Sequence, residues 1–145
     1  MQNIKTEPNI GNRFVAGLVD YFIIFGFTIF TIYTIGEPNN EGGYSLNGAP
    51  ALIPIIVWFL MTVGIEIGLG ATIGNSLVRL KAIPLNEENR KLTFGESFKR
   101  HLLDPIDMFF FGAVGIITIK NTENNQRVGD LWAKTIVVSN KSLTQ

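Results

Sequence analysis

The chain has 145 residues with 12 basic and 12 acidic side chains, so it carries no net charge. That length fits one domain, and zero net charge gives a nucleic-acid partner no electrostatic support. The absence of cysteine excludes disulfides, thiol catalysis and thiolate metal sites, and a single histidine, His101, excludes a multi-histidine metal centre.

Hydrophobic residues make up 46% of the chain and gather into long runs instead of spreading at helical or strand period. After a polar lead-in, Phe14 to Gly36 forms the first run, slightly longer than the roughly 20 residues a bilayer core demands. It is too long for a signal-peptide core and lacks a small-x-small cleavage site, so it is expected to remain as a spanning helix. The following GEPNNEGGYSLNGAP is a loop by its turn chemistry. A second run, Pro50 to Gly70, again has spanning length, with Pro50 suited to a first helical turn and Pro54 placed to bend or delay the start.

Lysine and arginine placement sets the expected orientation. The 37–49 loop holds Glu37 and Glu41 and no basic residue, which places it outside. The 71–101 segment holds Arg79, Lys81, Arg90, Lys91, Lys99 and Arg100, and the lead-in adds Lys5 and Arg13; both belong in the cytoplasm of a cell-membrane protein. The third run, Leu102 to Ile119, is short and begins with Asp104, Pro105 and Asp107. Two paths are open for it: a single crossing, or a re-entrant segment turning near Gly112 or Gly115. Lys120, Arg127, Lys134 and Lys141 in the 120–145 tail favour a cytoplasmic C-terminus and hence the re-entrant path. Ser76–Leu85 and Ala133–Asn140 are short β-branched or alternating stretches that can pair as a small antiparallel ribbon on that side. The expected fold class is an all-α integral membrane protein: two spanning helices, a third spanning or re-entrant segment and a small ribbon, as a single domain over 1–145.

Asp20 is the only charge in the first run. A carboxylate at the bilayer centre costs about 2.5–3.5 kcal/mol on insertion scales, so it needs water, a proton or a partner. Arg13, seven residues earlier, shares its helix face but stands roughly 10 Å away along the axis, too far for a simple ion pair. Glu66, Asp104 and Asp107 also lie in or beside apolar runs, and no lysine or arginine lies deep in any run. That one-sided charge suits a proton or cation, with Asp20, Glu66 and Asp107 as candidate ligands. Glu66 can alternatively reach water at the nearby helix end, and Asp104 and Asp107 can cap a helix start. His101 reads as an interfacial side chain. Gly68–Ser76 is glycine-rich, but it follows a helix and lacks the Lys-Ser/Thr ending of a phosphate loop, so it reads as a helix exit.

Three blocks together resemble the RDD family of membrane proteins, named for an arginine and two aspartates. NRFVAGLVD carries Arg13 and Asp20 in the family's first two places. GATIGNSLVRLKAI is similar to the block after the family's second helix, with Asn75 where a lysine is usual. Gln126, Arg127, Gly129, Asp130, Ala133, Thr135, Val137 and Val138 match the C-terminal block, with Lys134 replacing a common glycine. The second aspartate falls on Asp130 or Asp107. The resemblance implies transport, including cation/proton exchange, without a cofactor or an enzymatic reaction. Arg13, Arg100, Arg127 and Asp130 are the expected polar network. The expected partners are the lipid bilayer, a monovalent cation or proton and further copies of the chain. A non-catalytic scaffold or regulator that binds another membrane protein is the alternative.

Overall fold

A computed structural model describes residues 6–87 and 90–139. Lys5, Asn140 and Lys141 lie outside the described residues. Two helical stretches are long and apolar enough to cross a membrane, Ile10–Ile35 and Ala49–Leu69. The first is one continuous helix, α1, about 39 Å long at 1.5 Å per residue. It starts four residues earlier than the apolar run, because Ile10, Gly11, Asn12 and Arg13 join its first turn. The second is a composite: a 3₁₀ turn Ala49–Leu52, α2 Ile53–Phe59, a π-helical turn Leu60–Gly64 and α3 Ile65–Leu69. Pro54 falls in the first turn of α2, where its missing N–H costs nothing. The π turn was not foreseen; wide turns of this kind shift the helix face and cluster at functional sites. Between the two spans the 37–49 stretch is not all loop, since β1 Glu37–Pro38 pairs with β2 Tyr44–Ser45.

α3 ends on Gly70 at φ +90°, and Thr72 then caps the short α4, Ile73–Leu77, by accepting from the Asn75 N–H. The glycine-rich segment is thus a helix exit joined directly to a helix start. α4 packs on α1 through Gly74, where any added Cβ would fall on the Ala16 carbonyl oxygen. Only glycine permits that approach.

β3 Leu80–Pro84 and β4 Thr135–Ser139 pair antiparallel, Leu80 opposite Ser139 and Pro84 opposite Thr135. The ribbon expected from the alternating stretches is therefore present, and it is buried on both faces. Leu80, Ala82, Leu92 and Val137 fill one side, and Ile83, Ile136 and Val138 the other. Pairing of these two strands brings the far tail back beside the exit of α3.

The third apolar run is divided. α5, Phe94–Leu102, leads into it, and the run itself forms α6, Asp104–Asp107, and α7, Phe109–Asn121. The first two and the third meet at 117°. Phe110, Phe111 and Gly112 all take positive φ at this corner, a left-handed turn that costs each phenylalanine about 1–2 kcal/mol. The turn falls where a re-entrant path was expected to reverse, near Gly112. α8, Val128–Ala133, follows and packs against α5.

Candidate functional site

α5 carries its polar stripe inward. Ser97, Arg100 and His101 lie at i, i+3 and i+4, all buried, and Asp104 continues the row one turn later. Phe94, Leu102 and Ile106 face outward. This reverses the usual soluble amphipathic pattern and fits an apolar surround. The stripe meets α3, α8 and α1, which bring Glu66, Asp130 and Arg13.

Glu66 is 1% exposed. It accepts from Ser97 Oγ at 2.6 Å and stands 3.3 Å from Arg100 Nη1 and 3.2 Å from His101 Nε2. His101 holds Asp104 through Nδ1 at 2.9 Å, so one imidazole bridges two carboxylates. Asp104 also accepts from the Tyr21 hydroxyl at 3.0 Å and pairs with Arg127 Nη1 at 2.8 Å. Two expectations are corrected here. His101 is not an interfacial side chain, and Glu66 does not reach water. The one-sided charge reading also fails. Folding α5 against α3 carries Arg100 and His101, which the sequence places in a polar segment, onto the acids of the apolar runs.

Asp130 is fully buried and faces three guanidiniums: Arg13 Nη1 at 3.3 Å, Arg100 Nε at 3.2 Å and Arg127 Nε at 3.7 Å. Burial pushes its carboxyl up, but Arg100, Arg127 and Arg13 outweigh that and hold it below the usual carboxylate range. Burial likewise favours the neutral form of Arg127, yet Asp104, Asp130 and Asp107 keep it charged and raise it above the ordinary arginine value. α8 can approach α5 this closely because a Cβ at Gly129 would strike the Arg100 carbonyl oxygen.

Asp107 accepts from the backbone N–H groups of Val128 at 2.8 Å and Gly129 at 3.0 Å. It is a cap, as one reading of it foresaw, but for the start of α8 and not for its own helix. Asp20 differs from all the others. Its Oδ1 accepts from the Gly74 N–H at 2.7 Å, with no arginine or lysine paired to it among the described residues.

Arg13, Asp130, Arg100, Arg127, Glu66 and Asp107 therefore meet in one network, and Asp20 stands at its edge. Sequence reasoning did not select His101, Asp104, Tyr21, Thr72 or Ser97 for this site. The signal available for three of them was the 97–100–101–104 spacing, which sets a polar row on one helical face.

A cavity of about 790 Å³ adjoins the network between α1 and α7. Arg13, Asp20, Tyr21, Thr72, His101 and Asp104 are among its polar lining, and Phe14, Leu18, Phe22, Phe25, Phe110 and Phe111 among its apolar lining.

Residues 7–134 match the model of the RDD family. No curated protein and no solved structure gives a match.

Proposed function

The chain belongs to the RDD family, and from that premise we propose that this small membrane protein moves a monovalent cation or a proton, Asp20 being the group that takes it up. The observation that carries the reading is charge balance around the cavity. Four carboxylates (Glu66, Asp104, Asp107, Asp130) face three arginines (Arg13, Arg100, Arg127) and His101. With His101 protonated this set is neutral, and Asp20 adds one negative charge with no ion pair of its own among the described residues. A half-buried carboxylate on a largely apolar cavity wall takes a proton or a cation in preference to standing bare.

A file of polar groups shares the cavity with Asp20. Tyr21, Asp104, His101, Glu66 and Ser97 form an unbroken file with links of 2.6–3.2 Å. An imidazole held at both ring nitrogens can accept a proton on one and release it from the other. Of the two candidates for a second carboxylate, Glu66 joins this file, whereas both Asp107 oxygens are taken by backbone N–H groups. The reading assigns no enzymatic reaction to the chain. It places the protein in the cell membrane with the N-terminus, the 71–101 segment and the C-terminus in the cytoplasm and the 37–49 loop outside. Two or three crossings enclose little space, so the working form in this reading is a homo-oligomer.

The test is cation-driven proton flux in proteoliposomes across several monovalent cations. Wild type is expected to give flux that Asp20→Asn abolishes while the variant stays folded; equal flux in the two would remove Asp20 from the mechanism. The alternative, a scaffold or regulator for another membrane protein, draws support from Asp130, whose three arginine partners make a static lock. No flux by the wild type, with unfolding of Asp130→Asn, would favour it.

A further inference from the structure

The layer formed by α5, α6 and α8 is built inside out. Between Arg100 and Asp107 every charged side chain is buried, and every exposed one, Leu102, Pro105 and Ile106, is apolar. α8 repeats the pattern, with Asp130 buried and Leu131 and Trp132 exposed. Phe94, Phe98 and Leu102 follow at i, i+4 and i+8 as one stripe along α5. The one exposed charge on the three helices is Lys99, and its ammonium lies 5.7 Å from the centre of the Trp132 ring. Soluble domains rarely turn an apolar face of this kind to water.

Contacts with the two spans measure how deep this layer reaches. The apolar run of α1 opens at Phe14, and Tyr21, whose hydroxyl donates to Asp104, lies seven residues or about 10 Å beyond that opening. The second span ends at Leu69, and its Phe59 ring stands 5.9 Å from Phe94 and 6.5 Å from Phe98. Phe59 is ten residues from that end, about 15 Å. The hydrocarbon core is roughly 30 Å thick, so both spans place α5 and α6 beside the half of it that adjoins the start of α1. α7 then returns to the same side. Asn125, four residues past its end, donates to the Thr6 carbonyl at 3.1 Å, just ahead of α1. The water boundary is marked elsewhere: Arg79 and Glu87 are exposed, and Lys91 Nζ donates to the Gly68 carbonyl, at the exit of the second span, at 3.1 Å.

We propose that the α5–α6–α8 layer is embedded in the leaflet that holds the start of α1, with lipid acyl chains covering Phe94, Leu102, Ile106 and Leu131. The ring contacts with Phe59 make this face continuous with the apolar surface of the second span, which is what selects lipid as its cover. Trp132 and the stem of Lys99 suit the headgroup boundary, where a lysine can snorkel to water. The basic residues of the 71–101 segment thus set its side of the membrane, while packing sets the depth of residues 94–101 within it. The ion network lies behind a lipid-covered wall and not in a cytoplasmic domain. This placement does not depend on the transport reading.

The chain has no cysteine, so single-cysteine variants can each carry one nitroxide. Leu102→Cys and Ile106→Cys replace exposed side chains and touch none of the ion pairs. The full chain in phosphatidylcholine vesicles is read by electron paramagnetic resonance for collision with oxygen, which concentrates among acyl chains, and with a neutral nickel chelate, which stays in water. The oxygen-to-nickel ratio at both sites should match that of Phe22→Cys on the exposed face of α1, and should be several-fold above that of Glu87→Cys. Thermal unfolding of each variant controls for the fold. A ratio at Leu102 and Ile106 equal to that at Glu87 would put the layer in water and overturn the proposal. Poor access to both reagents would mean that a second copy of the chain covers the face, and would overturn it as well. Ion flux is not read, so a failure of the transport reading leaves the result standing.

Discussion

Asp130 is fully buried and Asp20 half-buried, and the two are held by opposite means. Asp130 sits where α8 meets α5 and is surrounded by Arg13, Arg100 and Arg127. Asp20 sits where α1 meets α4 and is held by the Gly74 N–H. In the first region the charge itself binds the helices together. In the second, a neutral oxygen would accept the same hydrogen bond, so the negative charge contributes little to holding α4. A carboxylate whose charge the fold does not need is free to be neutralised and released again. That separation of a locking acid from a titratable one underlies the transport reading.

The largest expected effect tests the locking half. Asp130→Asn leaves the buried Arg100 and the partly buried Arg13 and Arg127 without their shared anion, and breaking a buried pair in this way costs about 3–5 kcal/mol. Thermal unfolding in detergent should drop by many degrees, and a drop no larger than that of Asp20→Asn would erase the contrast. The pH dependence carries a sign. The folded carboxyl of Asp130 lies below its usual value, so its contribution is complete above the unfolded pKa of about 3.9 and is lost as pH falls through the folded value. The gap in stability between wild type and Asp130→Asn should therefore be constant near neutrality and close in acid. A gap that closed as pH rose would show that another group carries it.

Next in size is the packing that brings the three arginines to one acid. Gly129→Ala puts a methyl group onto the Arg100 carbonyl oxygen, and forced overpacking of this kind costs about 1–3 kcal/mol. The shift would separate α8 from α5, so Asp107 should lose its hold on the Val128 and Gly129 N–H groups as well. Faster hydrogen exchange at Val128 and Gly129 than in wild type is the expected readout.

Asp20→Asn should be far milder. Asparagine keeps an oxygen for the Gly74 N–H, so the change in stability should stay within about 1 kcal/mol. A loss as large as that of Asp130→Asn would mean that the charge of Asp20 is structural, and would move the protein toward the scaffold reading.

Much of this was legible in the chain, and the limit has a physical cause. The two spans, the ribbon and the corner near Gly112 follow from local signals: run length, β-branched alternation and glycine. Arg13, Asp20, Glu66 and Asp107 stood out because charges in or near apolar runs are costly, and Asp130, Arg100 and Arg127 through the resemblance to the family. The bridging role of His101 was not legible, because it lies in a polar, basic segment where burial carries no signal at a single position. Only long-range packing, of α5 on α3 and of α8 on α5 through Gly129 against Arg100, decides that this segment turns its polar row inward. The π turn between α2 and α3 has no signal in the sequence that we can identify.

The smallest effect concerns a residue that departs from its family. Lys134 ends α8 at φ +56°, ψ +50°, the left-handed cap that glycine adopts without cost. Its place in the C-terminal block is one where the family commonly has glycine, and the backbone explains why. A lysine there bears about 1–2 kcal/mol of conformational strain. Part of that is offset because glycine frees the unfolded chain, by about 0.5–1 kcal/mol. Lys134→Gly should thus raise the unfolding temperature slightly, with no change in the Arg13, Asp130 or Asp20 environments. It acts between the network and β4, whose Thr135 carbonyl receives the Gln126 amide at 2.7 Å. A destabilised Lys134→Gly protein would mean that the lysine side chain makes a contact worth more than the strain of its backbone.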